Sequence, residues 1–226
     1  SGKIFPRIFL TYRIYNMEKQ FVPKEIQHQV ATWGPYLWQS ELLPSIIEEI
    51  SKRGATVRGV EKQNSSHKLA AIMTDEWTFK DEDRQWVQEA LNPWVFTYLK
   101  SFTEYSGGKF DPFDWDIREL WVNYQKANDF NPLHNHTGLL SFVLYLDVPE
   151  EIPQEYYQWN NRGPKPGSIV FRYGEEKDML SPMRFYIPKA GDIFIFPSWL
   201  EHMVIPFKTP DVERVSVSGN IYVRDQ

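Results

Sequence analysis

The sequence contains no cysteine in its 226 residues. A disulfide-linked secreted scaffold and a thiolate metal site are therefore excluded, and a reducing compartment is compatible. The chain also lacks a basic excess, since 25 Lys and Arg stand against 30 Asp and Glu, so the electrostatic footprint of a nucleic-acid-binding protein is missing. No apolar run approaches the roughly 18 residues of a membrane span. We accordingly expect neither nucleic acid nor a membrane as a partner.

The beginning of the chain lacks the charged and then apolar pattern of a signal peptide. The leading Ser1-Gly2, without a methionine, is typical of a cleavage scar. Together with the absence of cysteine, this leads us to expect a cytoplasmic protein.

Aromatic side chains, in contrast, are abundant: they make up 16% of the residues and include nine Trp. With 42% hydrophobic and 24% charged residues, the composition is typical of a globular chain. The length is sufficient for one domain with a buried core. The aromatic rings either fill that core or line a cleft for a peptide or sugar substrate.

The first half of the chain has the periodicity of helices. A first helix is predicted around 43–50, with Pro44 in its first turn and Gly54 at its end. A second is predicted over 81–106, where apolar pairs recur on one face and Pro93 either kinks the helix or separates two helices.

Strands dominate the second half. The predicted strands are residues 3–15 near the start of the chain, and then 117–126, 139–147, 168–172, 184–187, 192–197, 203–207 and 212–223. Turn signals rich in Gly, Pro, Asn and Asp separate them. Helices followed by a run of short strands predict an α+β chain whose second half is a β-sandwich or barrel, with the helices bracing an outer face.

Three of the five histidines fall in this strand-rich half. His134 and His136 form an H-x-H pair, whose alternate side chains can share one face of a strand, and His202 lies on a distant strand. Imidazoles suit Fe(II), Zn and Cu, and three protein ligands leave coordination positions open for chemistry. The alternative is two turn histidines that cap backbone groups and one unrelated histidine. His28 and His67 lie in polar or irregular surroundings, and we interpret both as surface residues.

Arg214 follows His202 on the next predicted strand, and it shares one strand face with Ser216. An Arg beside a Ser on an inward face forms a bidentate clamp for a carboxylate. The alternative is a surface ion pair of Arg214 with Glu213 or Asp211.

The second half of the chain, from 121 to 223, resembles the 2-oxoglutarate/Fe(II)-dependent oxygenases through its ordered segments WVNYQ, HNH, LSFVLYL, GDIFIFPSWLEH and ERVSVSGNI. It is most similar to the small bacterial and phage-encoded members of that superfamily. The resemblance implies a double-stranded β-helix (jelly-roll, cupin-like) that holds Fe(II), with 2-oxoglutarate as co-substrate. It also implies hydroxylation of a protein side chain or a small molecule by O₂, with release of succinate and CO₂. For a phage-encoded chain the expected location is the host cytoplasm.

The resemblance also implies roles for individual residues. His134 and His202 correspond to the two iron-binding and catalytic histidines of the superfamily. Arg214 corresponds to the residue that binds the distal carboxylate of 2-oxoglutarate, with Ser216 assisting it. Tyr124 resembles a position that often offers a hydroxyl to the co-substrate.

His136 is a departure from the superfamily pattern, which usually has an aspartate as the third ligand in H-x-D. His136 either binds the metal, or points away so that water fills the position, or begins a shifted H-x-G pattern at Gly138. We take His134, His136 and His202 as the metal set. Neutral imidazoles leave the charge of Fe(II) uncompensated, which suits a dianionic co-substrate.

These features predict one oxygenase domain over 1–226. The N-terminal strand and helices (3–116) are expected to pack on the double-stranded β-helix (117–224). Two alternatives remain. One is a three-histidine cupin-type dioxygenase or isomerase that does not use 2-oxoglutarate, in which Arg214 has no required role. The other is a non-catalytic β-sandwich that binds a partner and whose histidines are structural.

Overall fold

The computed structural model describes residues 24–32, 34–65, 75–109, 112–160, 163–177 and 181–224. The strands in these ranges are β1 (His28–Thr32), β2 (Tyr36–Glu41), β3 (Glu76–Thr78), β4 (Trp115–Gln125), β5 (Asn131–His134), β6 (Leu140–Asp147), β7 (Ile169–Arg172), β8 (Met183–Tyr186), β9 (Asp192–Pro197), β10 (Glu201–Val204) and β11 (Arg214–Val223). The helices are α1 (Pro44–Val57), α2 (Asp81–Ser106) and α3 (Glu151–Gln158), with a short 3-10 turn at Glu61–Gln63. The predicted strand at 3–15 and His67 lie outside the described residues.

The strands form two antiparallel sheets. The large sheet has seven strands in the order β1-β2-β9-β6-β11-β4-β3, and the small sheet has four in the order β5-β10-β7-β8. Non-consecutive neighbours such as β9-β6-β11 arise because the chain after β4 passes repeatedly between the two sheets, as in a jelly roll. The predicted α+β double-stranded β-helix with bracing helices is confirmed.

The helices cover the outer face of the large sheet. From α1, Ile46 and Ile50 are fully buried, and from α2 so are Val87 and Ala90. The Nε1–H of Trp94 donates to the carbonyl oxygen of Glu41 at 3.1 Å, which satisfies the polar atom of a large buried ring. No described helix is both long and apolar enough to cross a lipid bilayer.

The inner face of the large sheet packs against the small sheet. Besides the core under the helices, an apolar cluster lies between the two sheets. Its members are Leu37, Val143, Tyr145, Ile169, Phe171, Phe194, Phe196 and Leu200. Strand β6 is buried on both faces, because helices cover one side and the small sheet the other. Continuous burial explains why its sequence is largely apolar, and the hydroxyl of the buried Ser141 donates to Oδ1 of Asn220.

Two details of the helix predictions differ from the structure. The prediction that Gly54 ends the first helix is wrong, because α1 continues to Val57. A Cβ at Gly54 would lie 3.4 Å from Phe79 and 3.5 Å from Val122, so the glycine serves close packing of helix on sheet. Helix α2 runs unbroken through Pro93, which excludes the two-helix alternative.

Candidate metal and co-substrate site

A pocket opens between the two sheets. Strand β4 contributes Trp121, Asn123 and Gln125 to its wall, and β11 contributes Arg214, Ser216 and Ser218. The two triplets face the same way because each residue of one is the register partner of a residue of the other, from Arg214 opposite Gln125 to Ser218 opposite Trp121. The histidines line the opposite wall.

Strand pairing brings His134 and His202 together. His134 ends β5 and is the direct register partner of His202 on β10, and the centroids of the two rings lie 4.3 Å apart. The ring of His136 lies 4.8 Å from that of His134 and 5.1 Å from that of His202. One ligand nitrogen from each of the three residues lies within 4.8 Å of the others. Three convergent imidazoles are a set that suits a transition metal.

Backbone carbonyls orient two of these rings. The Nδ1–H of His134 donates to the carbonyl of Pro132 at 2.7 Å, and the Nδ1–H of His202 donates to the carbonyl of Leu200 at 3.0 Å. A carbonyl oxygen only accepts, so Nδ1 carries the proton in both rings and Nε2 offers its lone pair. Metal-binding histidines typically donate the proton of their other ring nitrogen to such a carbonyl.

The three rings are neutral near pH 7. Burial lowers the pKa of His134, and burial with the neighbouring His134 lowers the pKa of His136 to about 4. The pKa of His202 lies well below its usual value, mainly through burial and then through the charges that His134 and His136 would carry. Neutral imidazole is the form that binds a metal.

His136 joins the cluster although β5 ends two residues before it. Its backbone N–H donates to the carbonyl of Ser198 at 2.9 Å, which keeps this segment extended beside the turn that leads to β10. The centroid of its ring lies 5.6 Å from the ring centroid of Trp121. The half-buried imidazole of His136 therefore packs against Trp121 and the other two histidines.

Arg214 lies at the far end of the same pocket and is 2% exposed. Its Nε–H and an Nη2–H donate to Oε1 of Gln125, and an Nη1–H donates to the carbonyl of Gly167. The alternative of a surface ion pair with Glu213 is wrong, because Arg214 is buried and Glu213 pairs with Arg58 instead.

The permanent charge of the pocket is positive. Among the described residues that line it, none is an Asp or Glu, and Arg214 is the one permanent cation. A divalent metal on the histidines would add to this positive charge, so an anionic ligand that reaches from the metal to the guanidinium fits the pocket. The hydroxyl groups of Ser216 and Ser218 line the wall between the two ends. The donor set therefore fits Fe(II) together with a dicarboxylate such as 2-oxoglutarate.

The structure corrects the assignment of Tyr124. Its neighbours Asn123 and Gln125 face the pocket, so Tyr124 points to the opposite face of β4 and belongs to the core under the helices. The guanidinium of Arg58 lies 3.8 Å from its ring centroid. Tyr124 therefore does not reach a co-substrate in the pocket.

Several pocket residues were not predicted from the sequence. Tyr145 on β6 is the buried tyrosine that approaches Arg214, with the guanidinium carbon 5.4 Å from its ring centroid, and burial raises its pKa to about 12. Gln125 holds Arg214 directly. The alternation along β4 places Gln125 on the same face as Trp121 and Asn123, but its pairing with Arg214 depends on the register of two distant strands.

Comparison with known proteins is consistent with this site. Residues 119–220 match the family model described as "Putative 2OG-Fe(II) oxygenase", a range that contains all three clustered histidines and Arg214. No curated protein sequence matches the chain.

Solved structures share the fold at low sequence identity. A prolyl-4-hydroxylase from Pseudomonas putida superposes with a TM-score of 0.53 at 16% identity, covering 85% of this chain and 95% of that one. A viral collagen prolyl hydroxylase from Paramecium bursaria Chlorella virus-1, in its 2-oxoglutarate complex, gives 0.51 at 12% identity, with 84% and 98% covered. HygX from Streptomyces hygroscopicus, with nickel, 2-oxoglutarate and hygromycin B bound, gives 0.50 at 8% identity, with 79% and 78% covered.

Proposed function

We propose that the chain is a 2-oxoglutarate/Fe(II)-dependent oxygenase, as the family match over 119–220 and the shared fold support. In this proposal His134, His136 and His202 bind the iron, and Arg214 binds the distal carboxylate of 2-oxoglutarate. The observation that carries this assignment is a pocket that holds three convergent imidazole nitrogens together with a buried guanidinium, which has no acidic partner among the residues that the structure describes. A cupin-type enzyme that does not use 2-oxoglutarate gives no role to that guanidinium.

Bound Fe(II) with 2-oxoglutarate and O₂ supplies the oxidising chemistry, which releases succinate and CO₂. The residues of the chain bind and orient the metal and the co-substrate. Neutral His134 and His202 present Nε2 because their Nδ1 protons are held by backbone carbonyls. Arg214 draws the co-substrate inwards by charge, and Ser216 offers a hydroxyl beside it. Phe196 and Val143 line the inner part of the pocket and limit the water around the reacting groups.

The primary substrate is proposed to be a protein side chain or a small molecule with a flat apolar face. Trp199 and Tyr173 are 53% and 47% exposed, and their ring centroids lie 5.9 Å apart. Trp199 directly follows Ser198, whose carbonyl binds the backbone of His136, so this aromatic pair stands close to the proposed metal. Exposed aromatic pairs favour stacking against a ring or a peptide plane. The net charge of -5 does not favour nucleic acid as the substrate.

We further propose that residues 1–226 act as one oxygenase domain, in a cytoplasmic setting. The support is that β1, β2 and β3 from the first half are strands of the same sheet as β4, β6, β9 and β11 from the second. The absence of cysteine is compatible with a reducing compartment.

Succinate release tests the proposed function. The purified protein, loaded with Fe(II) and supplied with 2-oxoglutarate and O₂, is expected to release succinate, and candidate peptides and small molecules are expected to accelerate the release. His202→Ala should abolish it, whereas His28→Ala, which removes an exposed histidine away from the pocket, should not. Iron binding without succinate release under any condition would favour the cupin-type alternative, and the absence of metal binding would favour the non-catalytic one.

A further inference from the structure

Both residues that hold the Arg214 side chain are uncharged. Oε1 of Gln125 accepts from Nε at 3.1 Å and also from Nη2, while the carbonyl of Gly167 accepts from Nη1. Gln125 is itself 3% exposed, and its Nε2–H donates to the carbonyl of Asp129 at 2.7 Å. Because a carbonyl only accepts, this last bond determines which end of the amide is the oxygen.

These contacts leave a defined number of donors for a ligand. A guanidinium carries five N–H groups, one on Nε and two on each terminal nitrogen. Gln125 uses the Nε–H and one N–H of Nη2, and Gly167 uses one N–H of Nη1. One N–H remains on each terminal nitrogen of Arg214. Two donors on neighbouring nitrogens are what a carboxylate needs for a bidentate contact.

The charge of Arg214 is also left available. Neither an amide oxygen nor a backbone carbonyl neutralises a guanidinium, and no described carboxylate forms an ion pair with Arg214. The rings of Tyr145 and Phe207 lie 5.4 Å and 5.9 Å from its central carbon. A fully buried cation without a counter-ion is costly, so the ligand that supplies the anion is bound strongly.

We infer that Gln125 is a positioning residue that orients Arg214 without neutralising it, and that it thereby sets the selectivity of the pocket for a 2-oxo acid with a second carboxylate. This inference rests on the proposed function, in which Arg214 is the receptor for that carboxylate. A glutamate at position 125 would have the same size and would keep the contacts to Nε and Nη2, but it would lose the hydrogen bond that Gln125 donates to the carbonyl of Asp129. It would also form a buried ion pair, so Arg214 would no longer attract a dianion over a monoanion.

The test compares two co-substrates that differ only at the distal end. Calorimetry on the Fe(II)-loaded protein without oxygen gives the affinity for 2-oxoglutarate and for 2-oxopentanoate, which has five carbons but no distal carboxylate. We expect the parent to prefer 2-oxoglutarate by at least about tenfold, as a bidentate charge-assisted contact implies. In Gln125→Glu this preference should fall several-fold or vanish, while iron affinity is retained. With a turnover assay, the KM for 2-oxoglutarate should rise while kcat at saturating 2-oxoglutarate is kept.

Two further variants serve as controls. Gln88→Glu makes the same exchange outside the pocket, on α2, where Gln88 bonds the backbone of Trp115 and Ile117, and it should retain the parental selectivity. Gln125→Met keeps the size and the charge of the pocket but removes the acceptor, so it should weaken 2-oxoglutarate binding several-fold while some preference remains.

Parental selectivity in Gln125→Glu would overturn the inference, as would an equal loss of affinity for both acids. If Gln125→Glu does not fold, the Met variant decides, and parental affinity for 2-oxoglutarate in it would be the contrary result. A parent protein that binds neither acid would contradict the role of Arg214 itself, and therefore the proposed function together with the inference.

Discussion

At the scale of single residues, the histidine at position 136 determines the charge of the proposed metal centre. With His134, His136 and His202 all neutral, the protein contributes no negative charge to the ion. An aspartate at position 136 would supply one. The proposed site therefore depends more strongly on an anionic co-substrate than a site with an aspartate at position 136 would. This agrees with a pocket that has no acidic side chain among its described residues.

Substitution of His136 tests this directly. His136→Ala should lower Fe(II) affinity by at least about tenfold, because it removes one of three ligands. Loss of a group that only hydrogen-bonds a ligand already costs about 10–100-fold. His136→Asp should retain iron and turnover, because it restores the common H-x-D set. Calorimetric titration with Fe(II) measures the iron affinity, and succinate release measures the turnover. Parental iron affinity and turnover in His136→Ala would show that the residue is not a ligand.

The residues of the site were predictable in part, for physical reasons. The sequence pattern of an H-x-H pair, a later histidine and then an arginine on the next strand is specific enough to predict His134, His202 and Arg214. Tyr124 was misassigned because one residue of strand parity reverses the face that a side chain occupies. The pairing of Gln125 with Arg214 sets that parity, and it depends on long-range register that the local sequence does not contain.

At the scale of elements, the turn before β7 supports both helix α3 and the carboxylate receptor. Gly167 has φ +73°, and a Cβ there would collide with Cγ2 of Ile152 on α3, while its carbonyl binds Arg214. Gly167→Ala should therefore destabilise the fold by at least about 1–2 kcal/mol, the cost of the left-handed conformation alone, and should weaken co-substrate binding by displacing the carbonyl. Thermal unfolding and calorimetry measure the two effects.

Gly174→Ala is the matched control for this prediction. Gly174 also has positive φ, at +81°, but nothing lies within 4 Å of a Cβ built on it. It should show the conformational cost and parental affinity for 2-oxoglutarate. If Gly167→Ala loses no more stability than Gly174→Ala, the packing against Ile152 is not tight in solution.

A second link between elements is an ionic cluster behind the site. Arg58 after α1 bonds Asp75 before β3 and Glu213 before β11, each at 2.6 Å. Burial raises the pKa of Asp75, but hydrogen bonds from Arg58 and Trp77 outweigh it, so the pKa lies below its usual value. A lowered pKa in the folded state means that stabilisation is present above the unfolded pKa, about 3.9, and is lost as pH falls through the folded value.

Asp75→Asn should therefore lower stability at pH 7 by on the order of 1 kcal/mol, a small value because solvent screens Arg58. The difference from the parent should shrink below about pH 4, where the parent carboxylate also becomes protonated. Urea unfolding from pH 3 to pH 7 measures it. Asp116→Asn, which removes a more exposed partner of Arg118, is the control and should change little. A constant difference across this range would contradict the role of the charge.

Elements with a clear hydrophobic repeat were predicted well, and short elements were predicted poorly. The bounds of α2 and β9 agree with the sequence patterns, because long apolar repeats specify them. Strand β5 was not predicted because Pro132 indicates a turn, but β5 is an edge strand, where proline is tolerated. Helix α3 has only eight residues, too few for a clear repeat.

At the scale of the whole molecule, the proposed site joins the two sheets. His134 and His202 belong to the small sheet, whereas Arg214 belongs to the large one. A metal alone would bind only the histidine side. A metal with 2-oxoglutarate would connect both sheets through the ligand, so the co-substrate should stabilise the fold as well as complete the chemistry.

Thermal unfolding in the absence of oxygen tests this connection. Fe(II) alone should raise Tm, and Fe(II) with 2-oxoglutarate should raise it further, because a ligand at about 100 times its Kd contributes about 2.7 kcal/mol and each kcal/mol corresponds to roughly 2–4 °C in a chain of this size. In Arg214→Ala the shift with Fe(II) should persist and most of the additional shift should disappear, since the link to the large sheet is removed. His202→Ala should lose both shifts. If 2-oxoglutarate gives the same additional shift in Arg214→Ala as in the parent, then Arg214 is not its anchor and the co-substrate is held by the histidine side alone.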